Sequence, residues 1–310
     1  MKEGGSISID WVYPLDDVVG CKRETRICMI FPGMSGNSDR GYIKCLVQHL
    51  SQEKGYIVGV FHNRGIQSEY TSPMFLDITS SSEIDAALKH MQQKFQNKAH
   101  PRYVGVGLSL GANLMLKIAG EQKEKFPLEA MVSLSNPFDL WKVLCQMKGN
   151  VFERNLVKEY SEDTILKQSP SVAEQEIILQ MKEKYELNFE KIRQARSWKE
   201  LDQEFTMKVH YKYDSPEEYY RASSCKNVIQ DIQKPVLVIH AKDDPVTPLE
   251  CIPLEECRQN KNMIVQLLNK GGHLCFFQGL FGNKRWYPQV ISEYLDAVLG
   301  LDQIKEESQY

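Results

Sequence analysis

Closely spaced cysteine pairs are missing from this chain. Its eight cysteines, Cys21, Cys28, Cys45, Cys145, Cys225, Cys251, Cys257 and Cys275, form no Cys-x-x-Cys unit. That excludes the common zinc-ribbon and thioredoxin-type patterns and favours reduced thiols over a disulfide framework. Excess charge of one sign is missing too: the formal net charge is −3, which gives no electrostatic reason to expect a nucleic-acid partner. No apolar run approaches the ~18 residues of a membrane-crossing helix, so no transmembrane segment is expected. The N-terminal MKEGGSISIDW lacks the apolar core of a cleavable signal. Internal repeats and low-complexity tracts are also lacking. What remains is 310 residues with 42% hydrophobic and 25% charged content, ordinary for a globular chain of one elaborated domain or two small ones. The expectation is a cytoplasmic protein without cofactor or metal. Composition leaves peripheral contact with membranes or lipid droplets open.

Short β-branched runs alternate with longer amphipathic stretches. Residues 6–13 place Ile7, Ile9, Trp11 and Tyr13 at the two-residue period of a half-buried strand. The runs RICMIF (26–31), YIVGVF (56–61), YVGVGL (103–108), EAMVSL (129–134), PVLVIH (235–240) and MIVQLL (263–268) are nearly all apolar. Strands covered on both faces in a parallel sheet have that character. Helical patterns fall at about 40–54, 79–95, 110–122, 248–258 and 287–299, which implies an open α/β sheet. From Pro137 to Lys234 no buried strand is legible. That region is dense in charge, and its apolar residues Ile177, Ile178, Met181, Tyr185 and Phe189 recur at helical spacing. The reading is an α/β core over 1–139 and 231–310, with a helical cap or lid inserted at 140–230.

GVGLSLGAN (105–113) carries a Gly-x-Ser-x-Gly pattern directly between an apolar strand and a helix start. A sharp turn there crowds the backbone, so the positions two before and two after Ser109 must be small, and Gly107 and Gly111 are. The turn would lift the Ser109 hydroxyl clear of the sheet, at the positive end of the following helix.

A serine hydroxyl attacks only when a base takes its proton, and that base needs a carboxylate to orient it. Of seven histidines, His273 stands in NKGGHLCFF just after the last strand, on the edge where open α/β sheets meet ligands. His62, which ends a strand, competes. His240 sits inside a buried strand, where a packed core histidine is the usual explanation. For the carboxylate, HAKDDPVTP offers Asp243 and Asp244, and Asp139 in SNPFD is a third candidate. The order Ser…Asp…His is that of α/β-hydrolases. An oxyanion hole needs backbone N–H donors. Leu110, after the serine, is one, and Met34 in the FPGMSGNSD loop is the other.

Taken together, FHNRG (61–65) with TSP (71–73), GLSLGAN (107–113), SNPFDL (135–140), LDQEFT (201–206), YYRASS (219–224), PVLVIHAKDDPVTP (235–248) and GGH (271–273) resemble a particular group. The chain resembles the α/β-hydrolase family that includes embryogenesis-associated-type hydrolases and related acylglycerol and phospholipid lipases, the AB-hydrolase type 4 group. The resemblance implies the triad Ser109, Asp244 and His273, with Met34 and Leu110 as oxyanion donors, and so favours Asp244 over Asp243. The family's early loop usually reads His-Gly where this chain has Pro32-Gly33. Animal members commonly carry an N-terminal membrane anchor, and this chain is expected to lack one.

The expected activity is serine carboxylic-ester hydrolysis of medium- or long-chain lipid esters, of the monoacylglycerol lipase or esterase type, through an acyl-serine. An apolar face built from Leu156, Val157, Ile177, Ile178 and Leu179 would suit the acyl chain or pack the cap. Acyl transfer to an alcohol is the alternative. A ligand receptor on a hydrolase fold is a third reading, which expects a lost triad position. The role of Arg64 stays open between anion binding and bracing of its loop.

Overall fold

A computed structural model describes residues 4–15, 24–279 and 284–307, so Cys21 lies outside the described residues. Seven strands form one sheet: β1 (Ser8–Val12), β2 (Thr25–Phe31), β3 (Ile57–His62), β4 (Pro101–Leu108), β5 (Ala130–Leu134), β6 (Val236–Ala241) and β7 (Met263–Leu268). Their order is β1-β3-β2-β4-β5-β6-β7. Among the described strands of this sheet, only β1 runs antiparallel, against β3, with Trp11 facing Gly59; a side chain at Gly59 would collide with that indole. The other pairings are parallel.

Successive strand residues point to opposite faces, and the two halves of the core follow that period. Ile27, Met29 and Phe31 of β2 pack on one side with Ile84, Leu88 and Met91 of α2 (Ser82–Phe95) and Leu114 and Met115 of α3 (Leu110–Gln122). Cys28 and Ile30 pack on the other, with Ile43 and Leu46 of an earlier helix, α1 (Gly41–Gln48), and Ile291 and Leu295 of the C-terminal helix Tyr287–Glu307. Helices on both faces of a mostly parallel sheet are thus what the apolar runs implied.

Two helical expectations need correction. The helix expected over 40–54 is α-helical only to Gln48 and closes with a wider turn over His49–Glu53. The helix expected over 248–258 is a short 3-10 turn, Leu249–Cys251, followed by a separate helix, Leu254–Gln259. Pro253 explains the break: it forces the preceding Ile252 into extended geometry (φ −86°, ψ 128°).

Between β5 and β6 the chain is helical. The longer pieces are α4 (Leu140–Met147), α5 (Val151–Tyr160), α6 (Val172–Lys184) and the helix Pro216–Ser223. Caps explain why so charged a stretch folds as short helices. Asn150, Ser171, Ser197 and Ser215 each accept the amide three residues on, at Glu153, Glu174, Glu200 and Glu218. Glu200 and Glu218 reach back to the amides of Arg196 and Asp214, a close variant of the capping box. Helices α4, α5 and α6 share an apolar cluster built on Val143, Val157, Ile178, Met181, Leu201 and Phe205, joined by Tyr70 and Phe75 from the segment after β3, while Tyr219 and Tyr220 of the helix Pro216–Ser223 pack with Leu140. Cys225, Ile229 and Ile232, near the end of the insertion, pack instead with the sheet's own core.

Candidate active site

Ser109 caps α3 at φ 52°, ψ −123°, a conformation that side chains rarely adopt and that the two glycines make room for. A Cβ at Gly107 would strike the backbone of Ala112, and one at Gly111 would strike the Phe31 and Pro32 carbonyl oxygens. The β4–α3 corner closes only with hydrogen at both positions. It carries Ser109 to the sheet's carboxyl edge.

The loop after β7 brings His273 to the same edge, and the loop after β6 brings Asp244. His273 Nε2 lies 2.9 Å from Ser109 Oγ. Its Nδ1 lies 2.9 Å from Asp244 Oδ2 and 3.1 Å from Oδ1. Asp244 is buried and also accepts the amides of Val246 and Thr247, each at 2.9 Å, and the Thr247 hydroxyl at 2.7 Å. Burial pushes the Asp244 carboxyl up, but the His273 ring and the Thr247 donors outweigh it. The net effect holds the carboxyl below its ordinary range. With the carboxylate bound at Nδ1, the imidazole donates there and presents Nε2 to the serine.

The competing residues are elsewhere. Asp243 accepts the amides of Gly271 and Gly272 at 2.9 and 2.8 Å, bracing the loop that carries His273. Asp139 caps α4 and pairs with Lys226 at 3.4 Å. His62 is buried between Ser8 and Ser38, away from Ser109. His240 Nε2 donates to the Thr247 carbonyl at 2.8 Å, leaving a buried Nδ1 without a partner among the described residues. Thr247 stands in the HAKDDPVTP motif, but neither its bond to Asp244 nor this link to His240 is legible in it. Arg64 is buried and bonds Glu83 and Ser72, each at 2.7 Å, so it braces the loop after β3.

Ser109 and His273 open on a cavity of about 400 Å³, within the usual range for small-molecule sites. Leu76, Leu140, Val143, Leu144, Met147, Leu156 and Phe205 give it apolar walls. Met34, Gly33 and Leu110 line it beside the serine. Leu110 begins α3, so its amide has no acceptor in the preceding turn. Neither the Leu110 nor the Met34 amide bonds a main-chain carbonyl among the described residues. Of the five residues named for an acyl-binding face, Leu156 lines the cavity. Val157 and Ile178 are buried among the helices, Ile177 packs against the same cluster, and Leu179 is exposed. No group of three His, Cys, Asp or Glu side chains suited to a metal ion occurs among the described residues. None of the described helices is long and apolar enough to cross a membrane.

The family model for the alpha/beta hydrolase fold matches residues 29–280. The chain belongs to this alpha/beta hydrolase family. As a hydrolase-family member it is 29% identical to the embryogenesis-associated protein EMB8 of Picea glauca, over 99% of this chain and 66% of that protein. It is 27% identical to phospholipase ABHD3 of Mus musculus, over 96% of this chain and 70% of that one. To the monoacylglycerol lipase of Saccharomyces cerevisiae it is 25% identical, over 86% of this chain and 58% of that protein. The chain thus spans about two thirds of the length of the curated relatives it matches. Among solved structures it resembles the Pyrococcus furiosus esterase Pf2001, with a TM-score of 0.58 at 14% identity over 96% of this chain and 86% of that one. It also resembles Est1E of Butyrivibrio proteoclasticus, with a TM-score of 0.52 at 14% identity over 98% and 97%. At such identities these two speak for the fold alone.

Proposed function

We propose that this hydrolase-family protein is a serine carboxylic-ester hydrolase acting on medium- or long-chain lipid esters, such as monoacylglycerols, through an acyl-serine intermediate. The observation that carries the reading is the unbroken chain Ser109–His273–Asp244 at the mouth of a largely apolar cavity. His273 Nε2 takes the Ser109 proton as the oxygen attacks the ester carbonyl, while ionised Asp244 holds the ring and stabilises the imidazolium. The developing oxyanion meets the Met34 and Leu110 amides, which are free to donate. His273 then protonates the departing alcohol, and water, deprotonated by the same ring, releases the acid. Residues 140–230 serve as a cap that keeps bulk water from the acyl chain. The names of the relatives, a phospholipase and a monoacylglycerol lipase among them, agree with an ester substrate.

The test is a panel of p-nitrophenyl esters and acylglycerols of graded chain length, with Ser109→Ala as the blank. Turnover is expected to vanish in the variant without loss of its circular dichroism signature. Retained hydrolysis would assign the chemistry elsewhere. Repeating the panel with ethanol present separates hydrolysis from alcohol acyl transfer: free acid should outpace ethyl ester.

A further inference from the structure

The cavity lining is not apolar throughout. His210 and Asn63 are among its polar residues, each only 6% exposed, and neither side chain makes a hydrogen bond among the described residues. The His210 ring stacks on Tyr219 with centroids 4.5 Å apart, which fixes its plane. Its nearest ionic neighbour, Asp77, is 3.9 Å from Nδ1, beyond hydrogen-bond reach, and Asp77 is already occupied by Thr79 and Lys212. Neither residue has a polar atom fully sealed from solvent, so the polar edges of these nearly buried side chains open onto the cavity. A binding cavity is where such groups wait for a ligand. We propose that His210 supplies a subsite for a neutral hydroxyl group carried by the ester substrate, Asn63 being a second polar group open to the same cavity.

The donor and acceptor inventory fixes the chemistry. A neutral imidazole offers one donor and one acceptor, and an amide offers both. A hydroxyl, which also gives and takes, satisfies either. Burial keeps the His210 ring neutral by pushing its pKa down to about 4, so it offers a carboxylate or phosphate no charge. The hydroxyl can come from a hydroxylated acyl chain or from the polyol side of the ester, and the chemistry of the subsite is the same for both.

This inference rests on the ester reading of the cavity, so its test has two arms. In the first, kcat/KM is compared for methyl octanoate, methyl hydroxyoctanoates with the hydroxyl at each position, and glyceryl monooctanoate. The expected result is about tenfold preference for at least one hydroxylated ester over methyl octanoate. In His210→Phe, which keeps the stack on Tyr219, the preference ratio should fall to about one; in His210→Gln it should persist in part. A hydroxyacyl preference places the group on the chain, and a glyceryl preference places it on the alcohol. In the second arm, calorimetry on Ser109→Ala protein measures Kd for the same esters, which keeps the subsite testable if turnover is absent. Equal affinity and equal kcat/KM for plain and hydroxylated esters, or a preference untouched by His210→Phe, would overturn the subsite. Absence of turnover with every ester would instead refute the hydrolase reading.

Discussion

Replacing Thr247 by valine probes the support beneath Asp244 without touching Ser109, His273 or Asp244 itself. The side chain is buried and keeps nearly the same volume, and only its 2.7 Å bond to Asp244 is lost. The amides of Val246 and Thr247 still hold the carboxylate from the other side. A hydrogen bond to a charged group contributes about 1.5–3 kcal/mol, so urea denaturation at pH 7 should show a loss of that size. Asp244 is held below the ordinary carboxylate range, so its bonds stabilise the fold fully above the unfolded-state pKa. That contribution fades as pH falls through the depressed folded-state value. Since burial continues to push the carboxyl up, removing the hydroxyl moves its pKa upward. The stability gap between wild type and Thr247→Val should therefore be widest at neutral pH and narrow steadily towards pH 3. On the kinetic side, a looser carboxylate should lower kcat and leave KM nearly unchanged. A gap of constant size from pH 7 to pH 3 would refute the reasoning, because it would mean that the methyl-for-hydroxyl change acts through packing and not through the charge.

Asp244→Asn should lower kcat by about four orders of magnitude by inverting the preferred ring tautomer, read by steady-state ester hydrolysis with folding checked by thermal melts. Asp243→Ala removes two amide acceptors from the His273 loop and should cost more in kcat/KM than in Tm, since the loop and not the core loosens. Gly111→Ala forces a methyl group into the Phe31 and Pro32 carbonyls and should destabilise by about 1–3 kcal/mol in denaturant titrations, with the elbow displaced. Burial raises the Asp202 carboxyl to about 6, above its unfolded-state value, so its ionisation on going from pH 4 to pH 7 should cost the fold about 2 kcal/mol. Asp202→Asn should flatten that stretch of the stability curve, as followed by denaturation across pH 4–7.

The sheet and the elbow were legible because the physics that builds them is local. A parallel strand buried on both faces must be apolar throughout, and a strand-to-helix corner under a serine must have hydrogen in place of a side chain at two fixed offsets. The carboxylate was harder. Asp243 and Asp244 are neighbours with equal claim from chemistry alone, and the structure turns one to the glycine amides and the other to His273. Which way each points depends on loop registration set by Thr247 and by His240 beneath it, contacts between segments that no periodicity records. The cavity wall was hidden for a similar reason. Leu156 and Val157 are adjacent and equally apolar, yet one lines the cavity and the other packs among the helices. Nothing in the sequence sets His210 or Asn63 apart; only the fold shows that each is nearly buried at the cavity.

The most direct measurement is covalent: folded protein is treated with a fluorophosphonate probe, digested, and mapped by mass spectrometry. The account predicts one adduct, on the peptide bearing Ser109, formed at a rate that falls sharply in Asp244→Asn and to nothing in Ser109→Ala. A folded protein that stays unlabelled, or that carries the adduct on another side chain, would contradict it.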